Sequence, residues 1–154
     1  MNALMYKGNR IADWLGRSSV DILRISLGLI FFGFGVLKFF PGASPAEALV
    51  MRTIDTLTLG VVEGRTAVLV TAALECFIGL TLITGRLLRT GLLVLGFSLL
   101  GILSPLVLFF GDLFPGTPTL EAQYVLKDVV LAAAALVIAA KALSSPGKLT
   151  RPAQ

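Results

Sequence analysis

An all-α integral membrane protein is the fold class this sequence predicts: a bundle of four transmembrane helices with an amphipathic helix on the outer surface after the first span. Three observations predict it. Of 154 residues, 56% are hydrophobic and only 14% charged, where soluble domains average about a quarter. Mean hydropathy is +0.91. The apolar residues fall into four blocks, each near the ~20 residues a helix needs to cross the hydrocarbon core. The chain reads as a single membrane domain, residues 1–154, with no room for a second, soluble one.

The first block, residues 22–40, has Arg24 and Lys38 at its rims. The second, residues 66–85, is uncharged except for Glu75, and the third, residues 90–111, carries no charge. The fourth, residues 124–143, holds Lys127 and Asp128 about one turn inside its start. Helices satisfy every backbone group within themselves, which open strands in lipid cannot do. Ser104-Pro105 predicts a kink in the third span, with the carbonyl freed by proline available inside the bundle.

Two further helices are expected at interfaces. Ile11, Trp14 and Leu15 opposite Lys7, Arg10 and Arg17 predict a short surface helix over residues 6–16. Residues 1–20 do not read as a cleaved signal, because charges continue through Arg17 and no apolar core precedes Ile22. Ser44-Pro45-Ala46-Glu47 has the form of a capping box with proline at the first helical position. Ala46, Leu49, Val50, Thr53 and Leu57 follow at helical spacing, so residues 45–58 read as an amphipathic helix, either an anchor in the outer interface or a lid over the bundle.

Charge placement predicts the orientation. Lys7, Arg10, Arg17 and Arg24 precede or open the first span, Arg86 and Arg89 fill the turn between the second and third, and Lys141, Lys148 and Arg151 follow the fourth. The opposite side has Arg52 and Arg65 among Glu47, Asp55, Glu63, Asp112 and Glu121. By the positive-inside rule both termini are cytoplasmic, in a bacterial inner membrane. The net charge of +4 then reflects topology and anionic lipid, not nucleic acid, since no basic stripe with interleaved aromatics occurs.

What is missing narrows the chemistry. There is no histidine, which removes the commonest metal ligand and general base, and no metal site is expected. The single cysteine, Cys76, allows no internal disulfide or paired-thiol redox centre and reads as a packing residue. Any redox role needs a quinone, another bound organic cofactor or a partner protein.

Lys38, Glu75, Lys127 and Asp128 form the candidate ligand-binding cluster. A carboxylate deep in a span costs at least a few kcal/mol, so Glu75 must face protein, a partner charge or water. Lys38 or Lys127 can reach one turn along the helix towards it while opening to the outer interface. Lys127 and Asp128 point about 100° apart, so one lysine is expected on Glu75 and the other on Asp128. Two readings follow: an ion-pair network that fixes helix packing, or a polar pocket that binds a quinone head group or other small polar ligand. Gly28, Gly33, Gly35, Gly79 and the run Ala132 to Ala135 are expected to let helices approach closely.

These residues carry a resemblance. Gly33-Phe34-Gly35-Val36-Leu37-Lys38-Phe39-Phe40-Pro41 resembles the opening motif of the DoxX-like membrane proteins, and Glu75-Cys76-Phe77-Ile78-Gly79-Leu80 with Leu82-Ile83-Thr84-Gly85-Arg86 resembles their second helix. Ser104-Pro105-Leu106-Val107 and Val125-Leu126-Lys127-Asp128-Val129-Val130-Leu131 look closer to the YkgB-type branch, whose longer first outer loop this chain lacks. The resemblance covers about residues 21–143 in short motifs. It implies a four-helix membrane bundle, with one branch linked to thiosulfate:quinone oxidoreductase and actinobacterial members to oxidative-stress assemblies. It supplies no catalytic residue.

Two functions compete. One is a non-catalytic accessory or scaffold subunit with other membrane or redox proteins, or further copies of itself, as partners. The other is a quinone-reactive oxidoreductase component built around Glu75. A transporter is less favoured, because four helices leave little room for alternating access.

Overall fold

A computed structural model describes residues 2–144, and the side chains of residues 11–144. Lys7, Arg10, Lys148 and Arg151, counted above in the charge pattern, lie outside the described side chains. Among the described residues the regular structure is all helix, in seven segments: α1 (Asn2–Leu37), α2 (Glu47–Thr58), α3 (Gly64–Thr84), α4 (Leu88–Leu103), α5 (Pro105–Leu108), α6 (Phe110–Leu113) and α7 (Leu120–Ser144). Three stretches are long and apolar enough to cross a membrane: Ile11–Leu37, Gly64–Thr84 and Leu88–Leu108. The chain is a multi-pass membrane protein. α7 is also long, but Glu121, Lys127, Asp128 and Lys141 set it apart from those three.

α1, α3, α4 and α7 pack side by side in a ring, α1 on α3 and α7, and α4 on α3 and α7. Leu27, Phe31, Ile78, Leu82, Leu95, Leu99, Ala135 and Ile138 form its core. Equally apolar side chains, among them Leu93, Phe97, Val107, Val130 and Leu136, point outward and are exposed. Helices that are hydrophobic all round need an apolar environment on their outer face too.

α1 and α3 share the most extensive contact of the bundle, and glycine makes it possible. A methyl group on Gly79 would meet the backbone nitrogen of Phe32 at 2.6 Å, and one on Gly35 would meet Cys76 Sγ at 2.9 Å. Gly28 is as tightly placed, against Gly79 O at 3.0 Å, whereas Gly33 faces open space and does not serve helix approach. Of the alanine run, Ala135 is buried in the core and Ala133 is exposed.

These contacts also set the register. With Gly35 beside Cys76, the last residue of α1 lies level with about residue 74 of α3, roughly 15 Å short of where α3 begins. The first helical span therefore stops at Leu37, before Lys38, and the expected span to residue 40 is too long. The segment after it folds back over the first part of α3. Arg65 Nη2 donates to Phe39 O at 2.6 Å and Arg65 Nη1 to Glu47 Oε1 at 3.1 Å, which ties this segment to the start of α3. Leu49 and Thr53 of α2 are buried, Val50 is half-buried and Leu57 is exposed.

Three local expectations are corrected. The separate surface helix at residues 6–16 is continuous with the first span, because no proline or left-handed residue interrupts the chain before Leu37 and Arg17 bonds Asp13 O one turn back within the helix. The capping box is absent: α2 starts at Glu47, Ser44 O accepts the Glu47 N–H, and the Ser44 hydroxyl is buried with no partner. Glu47 instead accepts from the Gly42 N–H at 2.8 Å and from Arg65. At Ser104-Pro105 the break between α4 and α5 is present, but the freed Gly101 carbonyl is not available, since Ser104 Oγ donates to it at 2.7 Å.

Candidate functional site

The structure brings two of the four candidate residues together. Lys38 Nζ donates to Glu75 Oε2 at 2.6 Å, and both side chains are almost wholly buried, at 4% and 9% exposure. Glu75 projects from the middle of α3, and Gly35 lets α1 press against the backbone beside it, so the turn carrying Lys38 arrives next to the carboxylate. Lys38 does not open to the outer interface as expected. The helix ends before it, and the returning chain closes over this level of the bundle.

Asp128 lies across from this pair on α7 but joins no salt bridge among the described residues. Asp21 on α1 and Lys141 on α7 approach to 3.7 Å. Counting back along both helices from that bridge sets Asp128 level with about residue 34 of α1, within a residue or so of Gly35 and its neighbour Cys76. The charges that act on it are Glu75, Lys127 and Lys38. It is half-buried.

Lys127 leaves the cluster. It is exposed, and its ammonium sits 3.9 Å from the centroid of the Tyr124 ring, one turn back on the same helix. The expectation that each lysine takes one carboxylate is thus half met: Lys38 holds Glu75, and Lys127 turns away from Asp128. The 100° between adjacent side chains explains why only one of the two faces inward.

Two polar groups have roles that the sequence did not reveal. Gly91 packs against the Thr81 side chain, and counting from that contact places Ser98 of α4 level with about residue 74 of α3. The Ser98 hydroxyl is buried with no hydrogen-bond partner. It completes a polar layer to which the ends or middles of α1, α3, α4 and α7 each contribute a group. A lone serine in an apolar run gives no signal of this. Arg24 is the second. It donates to the carbonyls of Leu82 and Ile83 at the end of α3, supplying partners for groups the helix end leaves open and placing a cation at its negative pole.

On the opposite end, Arg52 bonds Asp112 at 2.6 Å and stacks on the Phe109 ring at 3.9 Å. With Arg65 on Glu47, both basic residues of that side are paired with acids. Cys76 is half-buried and lies against Gly35, as a packing residue does. Comparison with protein-family models, curated proteins and solved structures returned no match.

Proposed function

We propose that this protein is a small, non-catalytic accessory or scaffold subunit of a membrane redox or oxidative-stress assembly, of DoxX-like type. α7 is its fourth span, α2 lies on the outer surface, and both termini are cytoplasmic in a bacterial inner membrane. At ~1.5 Å per residue, the 25 residues of α7 reach well past a 30 Å hydrocarbon core. The count of basic residues supports the orientation: Arg17, Arg24, Arg86, Arg89 and Lys141 gather at one end of the bundle, against Arg52 and Arg65 at the other.

The observation that carries the scaffold reading is the Lys38–Glu75 pair itself. A carboxylate already bonded to a buried ammonium at 2.6 Å has its charge matched by the protein and acts to hold α1 on α3. The cavities lined by Arg24 and by Arg52 open elsewhere. Mild detergent extraction and native mass measurement test the reading. It expects co-purifying protein or further copies of the chain; a stable, solitary monomer contradicts it.

One observation favours the quinone-reactive alternative. Asp128 and the Ser98 hydroxyl stand at the level of Glu75, the first in no salt bridge among the described residues and the second with no hydrogen-bond partner, and such groups suit the oxygens of a quinone head group. Purified protein that neither retains quinone nor alters its reduction by reduced sulfur donors removes this alternative.

A further inference from the structure

A cavity of about 530 Å³ opens at the end of the bundle opposite α2, bounded by α1, the start of α4 and the end of α7. Its polar lining is Asp21, Arg24, Arg89 and Lys141; Leu88 and Ile138 are among its apolar walls. Three cations therefore face one carboxylate. Asp21 contacts both Arg24, at 3.6 Å, and Lys141, at 3.7 Å, and so offsets one positive charge. Arg24 is further committed to the end of α3. Among the described residues Arg89 makes no salt bridge, and it is exposed at the rim.

We propose that this cavity binds the phosphate of an anionic phospholipid, with Arg89 and Lys141 contacting the phosphate oxygens and Leu88 and Ile138 receiving the first part of the acyl chains. The excess of positive charge selects an anion, and the size admits a head group. The first amides of α4 add donors, since Leu87 at the N-cap offers them no side-chain hydrogen bond. The position suits a lipid: Arg24 bonds the last carbonyls of α3, so the cavity lies where the spans end and head groups begin. Basic pockets between transmembrane helices near the cytoplasmic face are suited to anionic head groups. This site is separate from the Lys38–Glu75 level; it rests on the membrane orientation proposed above and not on the scaffold role.

The test uses the full chain in detergent, delipidated and then offered dioleoyl phosphatidylglycerol, dioleoyl phosphatidylcholine or glycerol 3-phosphate. Retained lipid is counted by native mass measurement and heat resistance is followed in parallel. Phosphatidylglycerol should be retained in preference to phosphatidylcholine and should raise heat resistance. Arg89→Gln and Lys141→Gln should each weaken retention roughly fivefold, from the worth of one basic residue at an anionic surface. Arg86→Gln, in the same turn but outside the cavity lining, should retain it as the parent does, and unchanged helical content identifies folded variants. Equal retention of both lipids overturns the proposal. So does equal weakening by all three substitutions, which would mark diffuse surface charge. Protection by glycerol 3-phosphate as strong as by phosphatidylglycerol overturns the lipid as source and leaves a soluble phosphate ester.

Discussion

Lys38 reaches Glu75 from a turn, not from a helix: α1 ends at Leu37, and the next residue places its ammonium 2.6 Å from the carboxylate of mid-α3. The pair is what the chain uses to finish its first span inside the bundle. Irregular backbone at membrane depth survives only where protein covers it. Here the turn's own lysine is anchored, and Arg65 takes the Phe39 carbonyl that follows.

The glycines on α1 and α3 divide sharply. Gly79→Val should strongly lower abundance and heat resistance, by about 3 kcal/mol or more, because its Cβ would meet Phe32 backbone that cannot swing away. Gly33→Ala faces open space and should be neutral or stabilising by up to about 1 kcal/mol. Thermal unfolding followed by helical circular dichroism checks both.

Lys127 and Asp128 should behave differently although adjacent. Lys127→Ala removes an exposed ammonium stacked on Tyr124 and should shift stability by no more than about 1 kcal/mol. Asp128→Asn should leave the bundle at parental heat resistance, since no salt bridge is lost. If it removed a retained quinone instead, the alternative function would gain.

Ser104→Ala strips the hydroxyl donor from the Gly101 carbonyl at the proline break and leaves it the Ser104 N–H at 3.3 Å. Loss of about 0.5–1.5 kcal/mol is expected, the net worth of one hydrogen bond. Ser104→Thr keeps the hydroxyl and should recover most of it.

Topology has its own test. In a Cys76→Ala background, cysteines at Ser19 and Thr117 should be labelled from opposite faces of the membrane. Labelling of both from one face contradicts the cytoplasmic placement of both termini together with four spans.

Much of the frame was legible in sequence because hydropathy acts over whole segments. α3 at Gly64–Thr84 nearly coincides with the expected residues 66–85, and the break at Ser104-Pro105 follows from the missing amide. Glu75 stood out because a carboxylate in an apolar run has few options. What did not show is tertiary. The end of α1 depends on its register against α3, which Gly35 and Gly79 set by contact and composition does not report. Glu47 fitted a local capping pattern, yet Gly42 and Arg65 offered it donors across the fold. The direction in which Lys127 points, and the level at which Ser98 sits, follow from helix rotation and register that no single segment encodes.

The central claim is that Lys38–Glu75 holds the bundle together, and a double-mutant cycle tests it most directly. Lys38→Met, Glu75→Gln and the double variant are compared with the parent by thermal unfolding in detergent. Each single change strands a buried charge and should cost about 3–5 kcal/mol. The double change removes both charges and should recover much of that loss, giving a coupling of at least about 1 kcal/mol. Single variants as heat-resistant as the parent, with additive effects in the double, would contradict the account.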